Sequence, residues 1–139
     1  MPHPDLVKKI VETILQSTDC RFSIKMRLGL CDPSEGHQII ELLNNYPLDF
    51  IIIHPRLGKQ QYEGVVDLDS FAHLSSISKN SIIYNGDICT LGDYKKLQNR
   101  FPNIDRWMIG RGLLKNPFLV NLVLLNNTWY NQLNKHYHF

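Results

Sequence analysis

The sequence predicts an α/β fold in which parallel strands alternate with helices, and three observations support this prediction. Short apolar runs that include Phe22, Phe50, Ile82 and Trp107 have the length of strands buried on both faces. Amphipathic segments with helical spacing separate successive runs. Polar residues appear where each run ends. This alternation indicates a parallel sheet with right-handed crossovers.

The composition is that of one soluble globular domain. The chain has 139 residues, of which 43% are hydrophobic and 20% charged, and its formal net charge is +2. This charge permits an anionic partner. The sequence does not show the dense basic face of a dedicated nucleic-acid binder. No apolar run approaches the ~20 residues that span a bilayer, and no signal peptide is visible at Met1. We therefore expect a cytoplasmic protein with no membrane partner.

The cysteines predict neither a metal site nor a disulfide framework. Cys20, Cys31 and Cys89 are odd in number, lie at unrelated spacings and form no Cys-x-x-Cys pair. A reducing compartment is the expected setting, and we expect Cys31 and Cys89 to be small core or loop residues rather than nucleophiles.

The first part of the chain predicts two helix and strand pairs. Asp5 to Gln16 has the apolar spacing of a helix, and Phe22 to Leu28 has the composition of a strand. Asp32-Pro33-Ser34-Glu35 predicts a helix start, with Asp32 as the cap and proline at the first helical position. Phe50 to Ile53 is the clearest buried strand, and we expect it to end at His54-Pro55-Arg56.

A loop and another helix and strand pair follow. The loop runs from Leu57 to Val66, and Leu68 to Ile77 predicts a helix capped by Asp67. The next strand begins at Ile82 and runs into Asn85-Gly86-Asp87.

The remaining elements are shorter. Thr90 is the predicted N-cap of a helix to Arg100, with Asp93 in its first turn. Trp107 to Ile109 predicts a last strand, which enters Gly110-Arg111-Gly112, and Asn116-Pro117 predicts a final helix start.

Two architectures fit this pattern: an open doubly wound sheet and part of a (β/α)₈ barrel. A whole barrel takes ~250 residues, so this chain supplies about half, or four β/α units. The chain begins with a predicted helix rather than a strand, which also suggests that it is part of a larger domain. We expect one domain over residues 1–125 and a tail over residues 126–139 with no recognisable period.

The polar residues at the strand ends are the candidate ligand-binding residues, because ligands bind at that rim in parallel β/α folds. Their types fit an anionic cofactor: cations and histidine contact carbonyls or phosphates, and a Gly-Arg-Gly segment supplies backbone N–H groups beside a guanidinium. The set comprises Lys25, Arg27, His54, Arg56, Asn85, Gly86, Asp87, Gly110 and Arg111.

Each of these residues also has a plainer interpretation. Lys25 alone is typical of a solvated charge, His54 of a hydrogen-bonded core cap, and Asn85-Gly86-Asp87 of an ordinary turn. Tyr62 either covers a ligand or packs. Only their coincidence at one rim favours a site.

Four linked motifs resemble the tRNA-dihydrouridine synthases over roughly residues 5–125. They are Lys25-Met-Arg-Leu-Gly29, His54-Pro-Arg56 followed by Gln60-Gln-Tyr-Glu-Gly64, Asn85-Gly-Asp-Ile88, and Met108-Ile-Gly-Arg-Gly112 with Asn116-Pro117. The resemblance implies the second half of an FMN-dependent (β/α)₈ barrel. It also implies reduction of particular uridines in tRNA, with NADPH as the reductant.

The resemblance implies roles for the candidate residues. Lys25 would contact the pyrimidine end of the flavin, and His54 would face the flavin ring and the flipped base. Asn85 and Gly86 would approach the cofactor, with Asp87 bracing their loop. Gly110 and Arg111 would bind the FMN phosphate. Arg27 and Arg56 would contact the substrate.

The chain departs from the family in its catalytic segment. The family's Asn-x-Gly-Cys-Pro segment, which carries the general-acid cysteine, has no counterpart in this sequence, and none of its three cysteines takes that place. We therefore expect an inactive isolated chain that pairs with a separate N-terminal barrel half or with a second copy of itself. Two alternatives remain: half of another FMN-dependent barrel oxidoreductase, and a non-catalytic remnant or binding module.

Overall fold

The structure, a computed structural model, describes residues 3–125 of the chain. These residues form two compact units. The first comprises residues 3–86 and 104–108, and the second comprises residues 87–103 and 109–125. The predicted tail, residues 126–139, lies outside the described residues, and the predicted division into domain and tail stays a prediction.

The first unit contains a four-stranded sheet and its flanking helices. Their bounds in chain order are α1 Pro4–Ser17, β1 Ile24–Gly29, α2 Ser34–Leu43, β2 Ile51–Leu57, a short 3₁₀ helix Gly58–Gln60, α3 Leu68–Ile77, β3 Ile82–Asn85 and β4 Trp107–Met108.

The sheet is parallel throughout, and its strands follow one another in the order β1-β2-β3-β4. A doubly wound sheet reverses its strand order at a switch point, whereas a (β/α)₈ barrel places successive strands side by side. The sequential order is therefore that of part of a barrel. The predicted α/β fold of barrel type is confirmed, and the four described strands show no reversal of the kind that a doubly wound sheet has at its switch point.

One face of the sheet packs against helices. Leu28 is buried beside α2, where its carbonyl oxygen would lie 2.3 Å from a Cβ added to Gly36. Tyr84 on β3 meets Phe71 of α3 edge-on, with ring centroids 4.9 Å apart. Both aromatic residues are fully buried. Because side chains alternate along a strand, the neighbouring residues Arg27 and Asn85 project from the opposite face.

The predicted end of β2 is wrong. His54, Pro55 and Arg56 lie within the strand, which continues to Leu57. Arg27 pairs with His54 and Gly29 with Leu57, so two residues of β2 oppose Leu28 alone. Such a bulge tolerates a proline, which has no N–H to donate to the ladder, and it re-aims the side chains around it.

The N-cap predicted for α3 is confirmed, whereas α2 begins one residue later than predicted. The Asp67 carboxylate accepts from the backbone N–H of Ser70 at 2.9 Å, as predicted for the start of α3. At α2 the helix begins at Ser34 rather than Pro33, because Asp32 accepts from Ser34 N at 2.8 Å in a local turn. Glu35 bonds the backbone N–H of Leu30 instead of completing a capping box.

The second unit contains three helices, α4 Leu91–Arg100, α5 Arg111–Lys115 and α6 Leu119–Leu125. The predicted cap of α4 is confirmed: Thr90 Oγ1 accepts from Asp93 N at 3.1 Å, and Asp93 accepts from Thr90 N at 2.9 Å. The last helix begins later than Asn116-Pro117, because Asn116 Oδ1 first accepts from Phe118 N in a turn.

Candidate functional site

Four of the predicted site residues share the face of the sheet that lies opposite the helices. Lys25 and Arg27 alternate with the helix-facing residues of β1. His54 pairs with Arg27, and Lys25 pairs with Ile52. Asn85 follows the pair Ile53–Tyr84 and so lies level with His54. The sheet therefore brings two cations, an imidazole and an amide to one face.

Lys25 lies deeper along the strand than the sequence suggests. It is the second residue of β1, two pairs before the Arg27–His54 pair, rather than a residue of the strand's carboxyl end. Partial burial, together with the positive charge of Arg27, lowers the pKa of the Lys25 ammonium below its ordinary value. Burial and the charge of Arg27 both disfavour the protonated form of Lys25, so an anion bound beside its ammonium would stabilise that form.

Arg27 connects the sheet to the loop after β2. Its Nη1 donates to the carbonyl oxygen of Leu57 at 2.9 Å. Its guanidinium carbon lies 5.6 Å from the ring centroid of Tyr62, within cation–π range. Tyr62 is 65% exposed. The sequence left two roles open for Tyr62, covering a ligand or packing. The structure shows its ring exposed and in contact with Arg27, and not buried in the core.

His54 and Arg56 are the two polar residues described as buried in the core, at 6% and 2% exposure. Nη1 of Arg56 lies 3.3 Å from Nε2 of His54. Nη2 donates to the carbonyl oxygen of Gly64 at 2.6 Å, and Nε donates to that of Glu63 at 3.2 Å. The Arg56 guanidinium, called the Arg56 fork below, therefore contacts both the imidazole of His54 and the loop after β2.

The sequence did not indicate this network. The partners of Arg56 in the loop are backbone carbonyl groups, which every residue type carries. Gln60 was also missed as a structural residue: its Oε1 accepts from Leu57 N at 2.7 Å and closes the turn after β2. The position of Gln60 at the end of the turn Gly58-Lys59-Gln60 is the one sequence feature from which this contact could have been inferred.

Asn85 and Gly86 are held close to His54. Asn85 Nδ2 donates to the carbonyl oxygen of Met108 at 2.8 Å, which fixes the orientation of the amide. A Cβ added to Gly86 would lie 3.4 Å from Cδ2 of His54 and 3.3 Å from Val66. Glycine therefore lets the backbone approach the imidazole closely.

The remaining predicted residues belong to the second unit. Arg111, the first residue of α5, donates from Nη2 to Asp87 Oδ1 at 2.6 Å, and both side chains are substantially exposed. Asp87 has a φ of 42°, in the left-handed region that aspartate tolerates better than most residues. A Cβ added to Gly110 would have no neighbouring atom within 4 Å, whereas one added to Gly112 would lie 2.1 Å from the carbonyl oxygen of Ile88.

The cations and hydrogen-bond donors among these groups suit an anionic, oxygen-rich ligand. Within residues 3–125, no three metal-ligating side chains cluster. The cysteines are free thiols, with Cys20 and Cys31 exposed. No helix in the described part of the chain is long and apolar enough to cross a membrane.

The fold and these residues define a protein of the (β/α)₈-barrel type with a cationic, donor-rich face beside its strand ends. The model of the dihydrouridine synthase family matches residues 1–135. The chain therefore belongs to the dihydrouridine synthase family.

Individual relatives agree with this assignment. The chain is 30% identical over 124 residues to tRNA-dihydrouridine synthase B of Pasteurella multocida, and the matched region covers 88% of this chain and 37% of that protein. It is 30% identical over 123 residues to a probable tRNA-dihydrouridine synthase of Helicobacter pylori, covering 86% and 37%. It is 27% identical over 118 residues to tRNA-dihydrouridine(16) synthase of Ralstonia nicotianae, covering 84% and 36%. The chain thus spans little more than a third of the length of the curated relatives it matches.

Proposed function

We propose that this chain supplies part of the FMN site of a tRNA-dihydrouridine synthase, in which NADPH is the reductant and uridine in tRNA is the substrate. The observation that carries the proposal is the shared sheet face of Lys25, Arg27, His54 and Asn85 in a chain of this family. A reducing, cytoplasmic setting belongs to the same proposal and is supported by the free thiols.

The residues of the sheet fit the ring system of a flavin. Lys25 supplies a cation beside which negative charge is favoured, and its lowered pKa indicates a position that lacks a compensating anion. Asn85 donates one of its two amide N–H groups to Met108, which fixes the side chain, and its Oδ1 would be the acceptor for a ring N–H. Gly86 is buried between His54 and Val66, where an added Cβ would lie 3.4 Å and 3.3 Å from their side chains.

FMN, when bound, supplies the hydride chemistry, and the protein's part is to orient the ring and stabilise charge on it. With FMN bound, the Lys25 ammonium would stabilise negative charge on the ring system. His54 supplies a hydrogen bond within the same face. We assign no general acid to this chain, because none of its cysteines lies in a segment like that of the family.

Gly110 and Arg111 are proposed to bind the phosphate of FMN. The open space beside Gly110 would let an anion approach the backbone, and the guanidinium offers several donors. Asp87 occupies one of those donors and holds the guanidinium in one orientation.

Arg27 and Arg56 are proposed to serve the uridine in different ways. Arg27 lies against the exposed ring of Tyr62, where a base taken out of its stack would meet both groups. Arg56 is buried and contacts His54 and the loop after β2, and we propose that it supports the substrate indirectly through them.

The proposed assembly needs a partner, either a separate N-terminal barrel half or a second copy of this chain. Among the described strands, β1 and β4 each have one neighbour, so each leaves an open edge. Because the chain covers about 37% of the length of its relatives, we propose that it is inactive alone.

Flavin selection tests the proposal. The purified chain is mixed with the part of the P. multocida relative that lies outside the matched region, and the mixture is titrated with FMN and with riboflavin. We expect tight binding of FMN and weaker binding of riboflavin, which lacks the phosphate. Equal affinity for the two flavins, or no binding of either to a folded complex, would remove the proposal.

A further inference from the structure

The buried pair His54 and Arg56 carries an inference about the protonation of the imidazole. Arginine stays protonated and its five N–H groups only donate hydrogen bonds. Nη1 of Arg56 lies 3.3 Å from Nε2 of His54 in hydrogen-bonding geometry. Nε2 must therefore present its lone pair, and it carries no proton.

We propose that Arg56 is a positioning residue that holds His54 as the neutral tautomer protonated at Nδ1. A neutral imidazole has one N–H, and occupation of Nε2 as an acceptor leaves that N–H at Nδ1. An imidazolium would carry a proton on Nε2 and direct it at the guanidinium, placing two cations in contact within the core.

The environment of the pair makes this arrangement rigid. Both side chains are buried, at 6% and 2% exposure. The Arg56 fork is fixed at two further points by the carbonyl oxygens of Glu63 and Gly64. His54 is anchored in β2 and paired with Arg27, while Gly86 packs against the edge of its ring.

The tautomer restricts what His54 offers to a ligand. With Nε2 engaged by a permanent cation, the imidazole is a donor through Nδ1 and a poor proton acceptor. Any group that contacts Nδ1, in this chain or in a ligand, would then be a carbonyl oxygen or another lone-pair atom. This consequence rests on the proposed function for the identity of the ligand, but the tautomer itself does not.

The test is nuclear magnetic resonance of the full 139-residue chain without any ligand, using long-range ¹H–¹⁵N correlations of the histidine rings. The signals of His54 are identified by their loss in the His54→Gln variant. We expect a protonated Nδ1, a lone-pair Nε2 and a scalar coupling across the hydrogen bond from Arg56. A proton on Nε2 in the wild-type protein at neutral pH would overturn the proposal.

Variants test whether Arg56 sets the tautomer. In Arg56→Met we expect loss of the coupling and a mixture of tautomers, in a protein whose amide spectrum remains dispersed. The control Arg21→Met removes an arginine whose side chain is 81% exposed and which pairs with Asp49, and it should leave His54 unchanged. An unchanged tautomer in folded Arg56→Met would refute the positioning role. If that variant does not fold, the wild-type tautomer and coupling decide the matter. Because no measurement involves flavin or tRNA, failure of the proposed function would not alter these results.

Discussion

Arg111 donates a hydrogen bond from Nη2 to Oδ1 of Asp87 across 2.6 Å. The arginine that we propose to bind the FMN phosphate therefore already contacts a carboxylate of its own unit. The sequence predicted Asp87 only as a brace for its loop. The two side chains are 48% and 36% exposed, which limits the contribution of such a pair to stability to ~0–1 kcal/mol. Binding and stability can therefore be separated at this position.

Replacement of Arg111 is expected to affect flavin selection more than folding. In Arg111→Ala, the preference of the reconstituted protein for FMN over riboflavin should fall at least ~10-fold, because a charge-assisted contact to phosphate is lost. The control is Arg21→Ala, which breaks another exposed pair, that with Asp49, and should leave the preference unchanged. Parallel titrations followed by flavin fluorescence measure both. A retained preference in Arg111→Ala would exclude the phosphate role.

The glycines that flank Arg111 are expected to differ sharply in tolerance. Gly112→Ala would place its Cβ 2.1 Å from the carbonyl oxygen of Ile88 and 2.9 Å from Leu119 Cδ2, so backbone must move. We expect a loss of ~2 kcal/mol or more in the free energy of unfolding. Gly110→Ala meets nothing within 4 Å and should cost less than ~1 kcal/mol. Urea unfolding of both variants makes the comparison, and equal losses would show that the close approach is unimportant.

Loss of the Arg56 fork is expected to open the loop after β2. In Arg56→Met the carbonyl oxygens of Glu63 and Gly64 lose their guanidinium donors, at a cost of ~1–3 kcal/mol locally. A protease that cleaves after glutamate should then cut at Glu63 faster in this variant than in the wild type. The variant Arg21→Met serves as the control and should be cut at the wild-type rate. A protected Glu63 in Arg56→Met would indicate that other contacts hold the loop.

The titration of Lys25 gives a prediction with a definite sign. Burial and the neighbouring Arg27 lower the pKa of its ammonium in the folded chain below the ordinary value of 10.5. The unfolded chain therefore binds this proton more tightly, so the contribution of Lys25 to stability rises as pH increases through the lowered pKa towards 10.5.

Two variants test the cause of this shift. Arg27→Gln should raise the pKa of Lys25 part of the way back, since burial is the larger cause and remains. Lys25→Met should remove the alkaline rise in stability that this residue contributes. The pKa is followed through the side-chain signals of Lys25 by nuclear magnetic resonance. A pKa of Lys25 that does not respond to Arg27→Gln would contradict the assigned charge effect.

Much of the fold was predictable because local signals agreed with the final structure. The cap pair Thr90 and Asp93 predicted the start of α4, and Asp67 predicted that of α3. The end of β2 was not predictable, because a bulge opposite Leu28 depends on pairing with β1 and not on the local sequence. The proline that suggested a strand end instead lies within that bulge.

The sequence indicated polar residues that the structure places on one face of the sheet, but it did not indicate their contacts. Strand ends and side-chain types indicated Lys25 and His54, yet only the strand register shows that Lys25 lies two pairs before His54 along the sheet. The bonds of Arg56 to two carbonyl oxygens depend on how the loop folds back, which no residue pattern encodes. The roles of these residues towards FMN and tRNA stay predictions.

Formation of dihydrouridine in tRNA tests the central claim most directly. This chain is combined with the part of the P. multocida relative outside the matched region, and unmodified tRNA is incubated with FMN and NADPH. The account predicts dihydrouridine only when both pieces are present, with the yield strongly reduced by Lys25→Met. No dihydrouridine from a folded complex that binds FMN, or equal yields with and without this chain, would contradict it.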